Sequence, residues 1–483
     1  MSLRLDQKPV VATVYVAAMF MAVMDTTIVN VALPTIGSDL HARAGSVGLV
    51  SIAYLVSLAV FIPASGWLGD LIGGKRALLG AIGLFTLASA LCGISTGLDE
   101  LVAFRVLQGV GGAVMTPVGL AMLFRVYPPA ERVRISGVLA LVTALAPALG
   151  PILGGVFTTY ASWRLAFFVN VPIGAATLAY GVAALAGHVP ARPGRLDVKG
   201  LLLSGLGLGS VMYGICEGPS RGWTAAPVLA AAGAGAALLA ALVLVESRAA
   251  HPLVDLRLFG NRMFACATGL YGLGSVAYLG ALFLASLFFQ DALGLSAVRA
   301  GLTVFPSALG VMAGGQLVTR VLYRRFGPRR IAAAGLLVMA GTLASMTGVG
   351  TGAATGSGTV PVLLAMLGLG LGVSFVFIPS QAASMATVSK ERTGRASSLF
   401  NAGKQLGGAV GVALLSSVLA ATGPARGGSA GRAAADLGAY HAAFLVAAAV
   451  SLLALPVALA VRDADAAATM APRQAPRPAR QSG

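Results

Sequence analysis

From Val11 to Leu33 the chain runs almost unbroken through apolar residues, a length close to the roughly 20 residues a helix needs to cross the hydrocarbon of a bilayer. Comparable runs follow at Val47 to Trp67, Ala77 to Gly97, Leu101 to Phe124, Ile135 to Tyr160 and Leu165 to Gly187. Two more lie at Gly200 to Ile215 and Pro227 to Val245, and six at Phe264 to Gln290, Ala300 to Leu322, Ile331 to Gly350, Val360 to Ala386, Ser397 to Leu419 and Tyr440 to Val461. Backbone amides in lipid must bond within the chain, so these fourteen runs predict fourteen membrane helices. Composition agrees: 57% of the 483 residues are hydrophobic and 10% charged, against about 25% charged in soluble domains.

A net charge of +17 would suit nucleic acid or anionic lipid if it were gathered in one patch. It is instead spread between the apolar runs, so no nucleic-acid partner is expected. With the N-terminus in the cytoplasm, 25 of the 33 basic residues fall on the cytoplasmic side and six opposite. That bias is the positive-inside rule, and it predicts a multi-pass cytoplasmic (inner) membrane protein with both termini cytoplasmic. Only Arg105 and Lys404 remain within spans, and Lys404 reads as snorkelling from one end of its span to the cytoplasmic interface. The first run holds an acid and no small-residue cleavage site follows it, so it reads as a retained helix. Cys92, Cys216 and Cys266 each stand alone and read as packing residues, while His41, His188, His251 and His441 form no ligand pair. Neither a disulfide framework nor a metal site is expected.

The runs fall as six, two and six. This predicts an all-α integral membrane protein of two six-helix bundles with two extra central helices: 1–190, an insert with its flanks over 191–262, and 263–465. A local echo links the halves, Gly73-Gly74-Lys75-Arg76 after the second run and Gly327-Pro328-Arg329-Arg330 after the tenth. The stretch 466–483, rich in Ala, Pro, Arg and Gln, reads as a disordered cytoplasmic tail, and Gly423 to Gly438 as a mobile outer loop.

Asp25 sits in the middle of the first run, where a charge costs about 2.5 to 3.5 kcal/mol on insertion scales. Such an acid either takes part in a proton path or is held by an interhelical hydrogen bond. Arg105 is equally expensive, and either pairs with Asp25 or braces backbone carbonyls. Burial disfavours the charged carboxylate and a nearby guanidinium favours it, so altered access would swing its proton affinity. Gly66-Trp67-Leu68-Gly69-Asp70-Leu71-Ile72-Gly73-Gly74-Lys75-Arg76 forms a tight cytoplasmic turn in which Asp70 can meet a helix N-terminus or a basic side chain. In the fifth run, Pro147, Gly150, Pro151, Gly154 and Gly155 predict a kinked, closely packed helix.

The Gly66 to Arg76 stretch resembles the loop between the second and third helices of the major facilitator superfamily. Asp25-Thr26-Thr27-Ile28-Val29-Asn30-Val31-Ala32-Leu33-Pro34 resembles the first-helix motif of its fourteen-helix drug:proton antiporters, and Leu101 to Ala113 the fourth-helix motif. Ala146 to Gly155 is similar to the antiporter-helix motif, departing from it at Ala146, where the pattern has glycine, and adding Pro147. Trp163-Arg164, Phe167, Asn170 to Gly174, Gln290, Ala300-Gly301, Pro306, Asn401 and Gln405 to Gly408 also look like this group. The resemblance implies a twelve-helix transporter core with two added helices, alternating access powered by proton entry, and Arg105 as a proton-relay candidate. Asn30, Tyr54, Gln108, Asn170, Tyr271, Gln290, Phe377, Gln381 and Asn401, with Tyr278 and Gln405, are candidates to line a substrate pocket, although each taken singly reads first as packing or interhelical glue.

No GxxxxGK[ST] loop is present, since Lys75 is followed by Arg76 and Lys404 by Gln405, so the proton gradient is the expected energy source and no cofactor is called for. A proton moving through 100 mV releases about 2.3 kcal/mol, enough for roughly a 40-fold outward gradient of a neutral solute. No nucleophile, base and orienting group gather near a water-accessible face, which argues against an enzyme. The leading expectation is a proton-coupled exporter of lipophilic drugs or antibiotics, functional as a monomer in the bilayer. With one deep acid and little aromatic density, a neutral or monocationic substrate suits it better than a dication. The alternatives are a dedicated exporter of one endogenous metabolite or lipid, and a sensor or scaffold that keeps the fold without transport.

Overall fold

A computed structural model of the chain describes residues 6–41, 47–187, 197–248, 255–349, 359–389, 392–422 and 437–470. Among these, thirteen helical segments are long and apolar enough to cross a membrane. The first eight are α1 (Gln7–Asp39), α2 (Leu49–Ile72), α3 (Gly74–Ile94), α4 (Leu98–Val126), α5 (Pro129–Tyr160), α6 (Leu165–Ala184), α7 (Val198–Arg221) and α8 (Ala226–Arg248). After α9 (Arg262–Ala292) comes a 51-residue segment, Val298–Gly348, about twice the length of one crossing. Gly327 breaks it with φ 71° and ψ 169°, dividing it into α10 (297–326) and α11 (328–348). With α12 (Thr359–Ser384), α13 (Thr393–Thr422) and α14 (Leu437–Ala460), the crossings number fourteen.

The helices outrun the apolar stretches that signal them. α1 starts four residues before Val11, where the Asp6 carboxylate accepts from the Lys8 amide, and continues through Pro34 to Asp39. Side-chain capping of orphan amides sets such starts, and apolar content does not report it. The turn glycines explain the echo between the halves. Gly73 (φ 84°), between α2 and α3, and Gly327 (φ 71°), between α10 and α11, both take the left-handed backbone that glycine adopts without steric cost.

Helix pairing repeats across the halves. In the first bundle α1 packs on α5, α4 on α2 and α3, and α6 on α3 and α1. In the second, α9 packs on α13, α12 on α10 and α11, and α14 on α11 and α9. α7 and α8 pack on each other, and α7 lies against α2, where Gly205 and Gly209 leave room for Val60. The bundles meet where α5 touches α10 and α12 and where α13 touches α2 and α4.

One sequence expectation needs correction. The chain is ordered beyond residue 465: Asp463–Ala466 forms a 3-10 turn and Ala467–Met470 a helical turn against α5. Ala466 and Thr469 are buried, and the Thr469 hydroxyl lies 2.8 Å from that of Tyr323. These small residues fit a gap beside a buried tyrosine, which composition alone does not reveal. Residues 471–483 and the loop residues 423–436 lie outside the described residues.

Candidate functional site

α1, α3, α4 and α6 converge on Asp25, which is wholly buried (0% exposed). One carboxylate oxygen pairs with Nη1 of Arg105, itself 1% exposed. The other accepts from Nε2 of Gln108 at 2.8 Å and from Nδ2 of Asn170 at 3.1 Å. Three N–H donors on one carboxyl group suit an ionised acid, which can only accept. Arg105 is held in turn by Oε1 of Gln108 (2.7 Å) and, through Nε, by the Val50 carbonyl (3.1 Å). Its guanidinium lies 4.4 Å from the Tyr54 ring centre and 5.7 Å from that of Phe167. The spacing explains the grip: Arg105 and Gln108, three residues apart, share a face of α4, so both reach the same acid.

Ser89 and Cys92 on α3 extend the network. The Ser89 hydroxyl accepts from Gln108 (3.3 Å) and Asn170 (3.1 Å) and donates to the Phe167 carbonyl (2.9 Å), while the Cys92 thiol lies 3.9 Å from Oε1 of Gln108. Among the described residues the buried Tyr54 hydroxyl and Oδ1 of Asn170 have no hydrogen-bond partner. Asp25, Arg105, Gln108, Asn170 and Tyr54, all named from sequence, are thus brought together. Ser89 and Cys92 gave no signal beyond being small polar residues in an apolar run. Cys92 is packed in the core, as expected, at the edge of this network.

The Gly66 to Arg76 turn lies at one end of the bundles. Asp70 accepts from Nη2 of Arg125 at 3.1 Å, and Lys75 donates to the carbonyls of Val182 (3.0 Å) and Leu185 (2.5 Å) at the end of α6. Arg76 is exposed. At this end the two bundles touch: Ser65 and Ser398 are 2.9 Å apart, Nη1 of Arg132 donates to the Met385 carbonyl at 2.7 Å, and a Cβ on Gly66 would come within 3.1 Å of Gly394. A small cavity beside this contact is lined by Ser65, Asp70, Met122, Arg125 and Gly394. α5 runs as one helix through Pro147, Pro151 and Gly155. Gly150 and Gly154 face α1, where a Cβ on Gly154 would meet the Ile28 carbonyl at 3.0 Å.

The remaining candidates divide. Tyr271 on α9 stacks on Phe377 of α12 at 4.2 Å and meets Phe400 of α13 edge-on at 4.8 Å, with Tyr278 5.9 Å from Phe377. Gln381 and Asn401 are buried in the same bundle, and Asn401 donates to the Ser397 carbonyl one turn back. Gln290 bonds Ser286 of its own helix. Asn30 is exposed and accepts from Ser51, beyond Asp25 toward the end of α1. Lys404 departs from its sequence reading: it does not reach the interface but is 8% exposed, eleven residues inside α13. The helix begins at Thr393, a turn ahead of the apolar run, and so draws Lys404 inward.

Residues 15–412 match the Major Facilitator Superfamily. The chain is similar to the Multidrug resistance protein B homolog of Mycobacterium tuberculosis (strain ATCC 25618 / H37Rv), 35% identical over 84% of this chain and 75% of that protein. It also resembles the Tetracenomycin C resistance and export protein of Streptomyces glaucescens, 32% identical over 85% and 76%. A third relative, the Putative multidrug resistance protein MdtD of Salmonella typhi, is 36% identical over 66% and 68%. The crystal structure of the human organic anion transporter MFSD10 (TETRAN) superposes with a TM-score of 0.64 over 93% of this chain and 99% of that one; at 16% identity it bears on the fold alone. The chain therefore belongs to the major facilitator superfamily, in its fourteen-helix drug:proton antiporter group.

Proposed function

We propose that this chain is a proton-coupled exporter of lipophilic drugs or antibiotics across the cytoplasmic membrane, working as a monomer by alternating access. The observation that carries the reading is the buried Asp25 carboxylate with Arg105, Gln108 and Asn170 around it. Protonation of Asp25 cancels its charge and releases the guanidinium, which keeps the Val50 carbonyl, Gln108 and the Tyr54 and Phe167 rings. Breaking one side of a buried ion pair costs about 3 to 5 kcal/mol when the other charge stays unpaired. A proton that neutralises the acid can therefore re-weight two arrangements of α1 against α4, and its loss inward restores the first.

With the N-terminus cytoplasmic, the end bearing Asp70 faces the cytoplasm, and the contact of Ser65 with Ser398 closes that side. In this reading 1–190 and 263–465 rock against each other while 191–262 rides on the first bundle. Gly66, Asp70, Gly73, Lys75 and Arg76 make and break the closing contact, and Pro147, Gly150, Pro151, Gly154 and Gly155 let α5 move close against α1. Substrate sits between the bundles, with Tyr271, Phe377, Gln381 and Asn401 on one side and Tyr54, Gln108, Asn170 and Asn30 toward the other. Relatives named for multidrug resistance support a broad range, and the one named for tetracenomycin C favours a second reading, export of a single endogenous antibiotic. Drug accumulation across a compound panel, in pump-deficient cells with and without the protein, tests the proposal. Lower accumulation that an uncoupler abolishes is expected, and equal accumulation in both strains would contradict it.

A further inference from the structure

The second bundle contains a buried cation that meets no counter-charge among the described residues. Among the described residues, no ion pair reaches Lys404. Between Met263 and Val461 the acids are Asp291, Glu391 and Asp436, and none falls within α13. Asp291 is exposed at the end of α9. Burying a charge is costly unless something pairs with it, and among the described residues from 263 to 461 no buried acid does so.

The register of α13 fixes where Lys404 faces. Gly403, Gly407 and Gly411 lie against Thr268, Gly272 and Val276 of α9, while Gly394 and Ser398 lie against Gly66 and Ser65 of α2. Ser397, Asn401 and Lys404, at spacings of four and three, share the sector between these two strips, where the bundles adjoin. The buried Ser397 hydroxyl has no partner among the described residues. Phe400, one turn before Lys404, meets Tyr271, which stacks on Phe377.

We propose that Lys404, with Ser397 and Asn401, receives the acidic group of an aromatic substrate whose flat rings lie against Tyr271, Phe377 and Phe400. The missing counter-charge is then the carboxylate or phenolate of the cargo, bonded to the ammonium and two neutral polar groups, with offset ring stacking alongside. This rests on the exporter reading and narrows it, replacing the neutral or monocationic substrate expected from sequence with an anionic one. Energetically the exchange is favourable: an anion leaving a negative interior as a proton enters moves two charges down the membrane potential.

Binding of anthracene-9-carboxylate and of its neutral methyl ester to purified full-length protein in nanodiscs, followed by ligand fluorescence, tests the assignment. The wild type should bind the acid at least tenfold more tightly than the ester. Lys404→Met should erase that preference and Lys404→Arg should keep most of it, with the thermal unfolding midpoint of each variant in nanodiscs reporting that it is folded. Equal affinity for acid and ester in the wild type, or a preference that survives in Lys404→Met, overturns the assignment. Proton-driven uptake of a neutral lipophilic dye into proteoliposomes separates the two failures. Dye uptake without acid preference sinks this inference alone, and absence of uptake for dye and acid alike sinks the exporter reading with it.

Discussion

Ser65 on α2 and Ser398 on α13 meet oxygen to oxygen at 2.9 Å, one from each bundle, at the end of the molecule that carries Asp70. Gly66 and Gly394 beside them lack the side chains that would hold the backbones apart. In the proposed alternating cycle this contact belongs to one state. In a background with Cys92, Cys216 and Cys266 replaced, the pair Ser65→Cys and Ser398→Cys should cross-link under mild oxidation. Cross-linking should cut proton-driven uptake at least tenfold, and reduction should restore it. Full uptake by cross-linked protein would show that the contact need not open.

Asp70 and Arg125 are partly exposed, and such pairs contribute about 0 to 1 kcal/mol to stability. In the proposed cycle the pair matters for turnover, since Asp70 borders the contact at Gly394. Asp70→Asn should lower the uptake rate several-fold while leaving the thermal unfolding midpoint within about 2 °C, on the scale set by a fraction of 1 kcal/mol. Transport assays and melting curves on one preparation check both halves.

Gly150 faces Thr27, and any added Cβ would overlap that side chain. Gly150→Val should destabilise the first bundle by about 1 to 3 kcal/mol, the usual cost of overpacking, as seen by thermal unfolding in detergent. Gly80→Ala, where a Cβ meets nothing within 4 Å, is the control and should hold the midpoint or raise it slightly, since alanine favours a helix over glycine.

Gln108 bonds both members of the buried ion pair, donating to Asp25 and accepting from Arg105. Hydrogen bonds to charged groups contribute about 1.5 to 3 kcal/mol each. Gln108→Leu should therefore slow proton-driven uptake by about tenfold or more. Substrate exchange without a proton gradient should suffer less, and counterflow measurements separate the two.

Much of this arrangement was legible in the sequence, for identifiable reasons. Asp25 and Arg105 stood out because the positive-inside pattern accounted for nearly every other charge, and the fourteen crossings followed from run length. The partners of Asp25 were less visible. Gln108 and Asn170 fell within motif stretches and among many polar candidates, with nothing to tie them to Asp25, and Ser89 and Cys92 carry no periodic or charge signal, since they gain meaning only when α3 and α6 fold against α4. Lys404 was misplaced because the apolar run begins at Ser397 whereas the helix begins at Thr393. Gln290 matched a motif yet bonds its own helix at Ser286, a local choice that sequence does not record.

The central claim is that Asp25 carries the proton, and purified Asp25→Asn in proteoliposomes measures it most directly. An imposed pH gradient should drive substrate uptake by the wild type and at least a hundredfold less by the variant, with energy-independent counterflow retained. Gradient-driven uptake by Asp25→Asn at the wild-type rate would contradict the account.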